Sequence, residues 1–109
     1  MDGTQLEDPE MKKFLYLTVG GKMPANEAEG KKVMAAWMAW FGTLGKNLVD
    51  AGAPLGDRKT LGATFASKAT GYCIVQAADL RSAIAMAKGC PSIAAGDSIE
   101  ILELTPQKM

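Results

Sequence analysis

The apolar segments of this 109-residue chain follow the order strand, helix, strand, strand, helix, strand, and that order constrains the fold more than any other feature. A β-α-β-β-α-β succession is the ferredoxin-like split unit, in which four antiparallel strands form one sheet and both helices cover the same face. The fold class expected is therefore α+β. The length is that of one domain able to bury its own core.

Phe14-Leu15-Tyr16-Leu17-Thr18-Val19 is aromatic and branched, stops at Gly20-Gly21 and reads as the first strand. Pro24-Ala25-Asn26 opens the first helix, with Asn26 as cap and Glu29 three residues on, the spacing of a capping box. Val33, Trp37, Phe41, Leu44 and Leu48 make one apolar stripe at helical spacing, and Met34, Met38, Phe41, Gly45 and Val49 a second. The middle of this helix is thus apolar almost all round and is expected to pack against more than one surface. Gly42 and Gly45 each cost about 1 kcal/mol relative to alanine in a helix, which points to a bend or to close approach of a neighbouring backbone. Asp50-Ala51-Gly52-Ala53-Pro54 is expected to end the helix, with Gly52 in a left-handed exit. Thr60 to Phe65 is the expected second strand, Ser67 to Thr70 a hairpin connection, and Gly71 to Gln76 the third strand. Asp79 caps a helix over 80–88, Gly89 suits a left-handed cap, and Pro91 prevents the helix from resuming. Ile99 to Leu104 is the last strand; its alternation slips by one, which implies a bulge or two halves meeting different surroundings.

Two helices cover only one face of such a sheet, yet the first and third strands are apolar on both faces. The uncovered face would exceed the apolar patch usually tolerated on a monomer, so a homodimer packed sheet to sheet is expected. No cofactor, metal, nucleic acid or membrane is expected as a partner. The chain has no histidine, the commonest acid–base group and metal ligand, and only two cysteines, Cys73 and Cys90, both inside element patterns. That cysteine usage suits a reduced, cytoplasmic setting. The formal charge is zero, but the first ten residues hold four of the twelve acids and no base, leaving the remainder mildly basic. This excess is too scattered for a nucleic-acid stripe. The longest apolar run, Val33 to Phe41, is too short to span a bilayer. Residues 1–10 read as a disordered acidic arm or an added leader, and residues 11–106 as the domain.

Met34-Ala35-Ala36-Trp37-Met38-Ala39-Trp40-Phe41 and Leu48-Val49-Asp50-Ala51-Gly52-Ala53-Pro54-Leu55-Gly56 together resemble YCII-related proteins, also grouped as DGPF-domain proteins. Gly71-Tyr72-Cys73-Ile74-Val75, Ala87-Lys88-Gly89-Cys90-Pro91 and Ser98-Ile99-Glu100-Ile101-Leu102-Glu103-Leu104 continue the resemblance in the same order. It implies the dimeric α+β barrel. It implies little about activity, because most members have no assigned function; a minority resemble a dehydrochlorinase of aromatic degradation, and the founding branch is thought to use a His–Asp pair. This chain lacks that histidine, and Ser92 stands where relatives often carry one.

The candidate catalytic residue is Asp50, expected at the end of the long helix, where the dipole would favour its neutral form; the alternative is a plain turn contact with Gly52. Trp37, Trp40 and Phe41 can wall a pocket for a planar ligand, with Tyr72 offering a phenol to the same cavity and Arg58 and Lys59 holding an anionic group; core packing and solvated surface are the alternatives. Cys90, past a helix end and without a histidine, reads as a structural thiol. Two functions follow: a small-molecule-binding homodimer with its cleft between the long helix and the sheet, or a cofactor-independent lyase or monooxygenase-like enzyme acting on a planar organic acid or phenol with Asp50 as base.

Overall fold

The computed structural model describes residues 11–21, 24–62 and 67–105. Four strands, β1 (Lys12–Val19), β2 (Leu48–Pro54), β3 (Ala69–Ala77) and β4 (Ser98–Leu104), form one antiparallel sheet in the order β2-β3-β1-β4. The helices are α1 (Glu27–Leu44), α2 (Leu80–Ala87) and the single turn α3 (Pro91–Ala94). This is the ferredoxin-like α+β arrangement expected from the order of elements.

Strand register sorts the side chains into two faces. Phe14 pairs with Val75, and Tyr16 with Cys73 and Ile101; these residues, with Ala77 and Ile99, lie under the helices, where Phe14 and Val75 are fully buried. Alanine at positions 83 and 87 lets α2 sit close on this face, and the Tyr16 hydroxyl donates to the Ala83 carbonyl, satisfying a phenol that would otherwise be stranded in the core. Trp40 of α1 is only 5% exposed, stacks on Tyr16 with centroids 6.1 Å apart, and donates its indole N–H to the Met86 carbonyl at 3.2 Å. The opposite, open face carries Leu15, Leu17, Val19, Tyr72, Ile74, Leu102 and Leu104.

Asn26 caps α1 as expected, accepting from the Glu29 N–H at 2.8 Å, but the Glu29 carboxylate reaches the Ala25 N–H rather than that of Asn26. Asp79 caps α2, accepting from Ser82 N–H at 2.8 Å. The largest departure from the sequence pattern is at the end of α1. Gly45 takes φ +54°, its N–H closes on Phe41 O, and after a 3-10 turn over Gly45–Asn47 the chain enters β2. Leu48 and Val49 therefore belong to a strand, and the second strand is Leu48–Pro54, not Thr60–Phe65. Residues 60–62 are not strand, and 63–65 lie outside the described residues. Gly52 has the expected positive φ, +72°, but uses it in an irregular edge strand whose register shifts on both sides of Asp50.

Smaller corrections follow from packing. Ala69 and Thr70 are already strand rather than hairpin loop. Gly89 has no positive φ; a Cβ there would stand 3.3 Å from the Trp40 ring, so the glycine answers a close approach instead of a left-handed cap. Pro91 starts α3, where a missing N–H costs nothing. The β4 register is continuous against β1, so no bulge explains its slipped pattern: Ile99 and Ile101 face the helices, while Leu102 and Leu104 belong to the open face.

Candidate functional site

Asp50 lies in β2, with the open-face residue Ile74 as its strand partner. Because α1 ends at Leu44, the helix dipole does not act on it. Its Oδ1 accepts the Gly52 N–H at 2.8 Å, which fixes the carboxylate while leaving the group exposed. The conformation depends on glycine at 52, since a Cβ there would meet the Tyr72 carbonyl oxygen at 1.7 Å.

The aromatic residues divide between two sides of the sheet. Trp37, Trp40 and Phe41 form one cluster on α1, with Trp37 edge-on to Trp40 at 5.6 Å and Phe41 at 5.7 Å from both. Trp40 is the core member and Trp37 the half-buried one. Tyr72 pairs with Leu17 and Ala53 on the open face, so it does not share a cavity with the tryptophans. Strand parity separates them, because Tyr72 is one residue from the core-facing Cys73.

Arg58 is engaged by its own chain: its two terminal nitrogens donate to the carbonyls of Ser67 and Ala69, both at 2.6 Å. This ties the loop after β2 to the start of β3. Lys59 is exposed beside it, in a depression of about 270 Å³ bordered by the 55–60 loop and Ser67. A second depression, of about 140 Å³, lies on the helix side and is lined by Ile84, Ala87, Lys88, Ile93, Ile99 and Ile101. Neither is walled by α1. The isoleucine-lined groove was not singled out from the sequence; the pairing of Ile84 on α2 with Ile99 and Ile101 on β4 depends on register that periodicity alone does not supply.

The buried nucleophiles are held neutral. Desolvation pushes the Cys73 thiol up to about 12, with smaller contributions from Cys90 and from the negative charge of Asp50. Burial likewise raises the Tyr16 phenol to about 12, helped by Cys73 and Cys90. Burial also raises Cys90, opposed by hydrogen bonding from Ser92 and Ile93. Ser92 is buried inside the fold, and its backbone carbonyl accepts the Asp97 N–H at 2.8 Å. Among the described residues there is no group of three or more His, Cys, Asp or Glu side chains able to hold a metal ion, and no helix long and apolar enough to cross a membrane.

A family model, the YCII-related domain, matches residues 14–108, nearly the whole chain, and the chain belongs to that family. No curated protein and no solved structure matches it.

Proposed function

We propose that this YCII-related protein is a homodimer that closes the open faces of two sheets against each other and binds a small, planar organic molecule. The observation that carries the reading is the open face itself. It is apolar along its centre, no element of the described chain covers it, and Leu102 and Leu104 remain 36% and 40% exposed there. Tyr72 stands on this face, and Asp50 is paired to it through Ile74. Two such faces brought together would enclose an apolar space edged by a phenol and a carboxylate, which suits a ligand with an aromatic body and a hydrogen-bonding group. The ligand subsite is therefore proposed around Asp50 and Tyr72; Trp37, Trp40 and Phe41 lie on the other side of the sheet, outside it.

A catalytic reading is favoured by one detail. Asp50 is oriented through a single oxygen, and its other oxygen has no hydrogen-bond partner among the described residues, the arrangement of a positioned general base. Thermal-shift screening of the wild type against aromatic acids and phenols, followed by mass spectrometry of each stabilising compound, tests both readings. A saturable rise in melting temperature with the compound recovered intact supports binding. Conversion that Asp50→Asn abolishes, with fold and assembly unchanged, supports catalysis. No shift across a broad library contradicts both.

A further inference from the structure

From Val33 onward, the outward side of α1 has neither a cover within the described chain nor a charge to hold it in water. Thirteen residues, Val33 to Gly45, pass without a charged side chain. Met34 and Met38 are 62% and 61% exposed, and the alanines beside them are exposed as well. A solvated helix face normally carries polar residues on its outer half. Gly42 adds an independent observation. Glycine is among the poorest residues for a helix interior, and a Cβ built at 42 meets nothing within 4 Å. Packing within the chain therefore gives no reason for glycine here, whereas a close external backbone would.

We propose that this face of α1 packs antiparallel against the same face of a second copy, about a two-fold axis passing between Ala36 and Trp37. In that register Met34 lies opposite Ala39 of the second copy and Met38 opposite Ala35, so each long side chain meets a gap. The charges match at both ends. Lys31 comes beside Gly42 of the second copy, at the carbonyl end of a helix with no basic residue in its own last turn, and Glu27 comes opposite Lys46. Glu27 and Glu29 balance Lys31 and Lys32, so α1 has no net basic charge to draw it to an anionic membrane surface. The contact is separate from the open sheet face. A chain that uses both surfaces assembles as four copies, a dimer of dimers.

Sedimentation velocity of the full chain tests this with wild type, Met38→Glu and Gly42→Leu, each checked by circular dichroism. Either substitution is expected to halve the mass of the wild-type particle while leaving the helical signal intact. As a second readout, the double variant Met34→Cys/Ala39→Cys is expected to cross-link between chains on mild oxidation, giving a species that reductant dissolves. A wild type that sediments as a single chain at micromolar concentration overturns the proposal, as does a particle mass unchanged by both substitutions. So does binding to phosphatidylglycerol vesicles that Met38→Glu abolishes without any change in particle mass.

Discussion

Replacing Trp40 separates a core tryptophan from a ligand-contacting one, and the size of the effect can be worked from its surroundings. An indole removes on the order of 200 Å² from water, and at about 25 cal/mol per Å² this corresponds to about 5 kcal/mol. Alanine retains part of that area and the unfolded chain already hides some, which brings Trp40→Ala to about 3–4 kcal/mol, within the usual range for this truncation. Loss of the indole N–H bond adds less than about 1 kcal/mol, because the Met86 carbonyl still accepts the Gly89 N–H at 3.3 Å. Trp40→Phe keeps the stacking on Tyr16 and is expected to cost only about 1–2 kcal/mol. For a domain of ordinary stability, about 5–15 kcal/mol, Trp40→Ala leaves a marginal fold. Urea unfolding followed by far-ultraviolet circular dichroism, at one fixed protein concentration, measures both. A cost below about 1 kcal/mol for Trp40→Ala would refute the packing argument and return the indole to the ligand wall.

Three further outcomes are expected. Gly52→Ala is predicted to destabilise by more than about 2 kcal/mol and to lower amide protection along β2, because it combines strain at positive φ with a collision at the Tyr72 carbonyl; protection equal to wild type would count against the edge-strand geometry. Tyr16 and Cys73 have folded values near 12, raised from 10.0 and 9.0, so the stability they contribute is fully present below pH 9 and falls as pH rises toward 12; a melting temperature that climbs between pH 9 and 11 would contradict this sign. Asp50→Asn keeps an oxygen able to accept the Gly52 N–H, so its melting temperature should match wild type while any ligand-induced shift shrinks, and an undiminished shift would remove Asp50 from the site.

Much of the fold could be read from the sequence because its signals are local. β1 and β3 are apolar on both faces, Asn26 and Asp79 are good caps, and those elements appear where the pattern puts them. The second strand was hidden because Leu48 and Val49 extend two helical stripes, and Asp50 to Pro54 has the composition of a turn. Gly45, at positive φ, and the short 3-10 turn it begins separate helix from strand there. The candidate site was legible as a set of residues but not as an arrangement. Tyr72 and the tryptophans fall on opposite faces through a single step of strand parity, and Arg58 spends its donors on Ser67 and Ala69, a tertiary contact no motif announces.

A second copy covering the open sheet face is the central proposal, and Leu17→Lys tests that cover with little risk to the fold. Leu17 sits on that face beside its strand partner Glu100, which can take a new lysine as a cross-strand ion pair. Sedimentation velocity of wild type and Leu17→Lys, side by side at micromolar concentration, is the most direct measurement. The wild type is expected to be assembled and its mass to be halved by the substitution, with circular dichroism unchanged; an unchanged mass, or a wild type that is already a single chain, contradicts sheet-to-sheet cover.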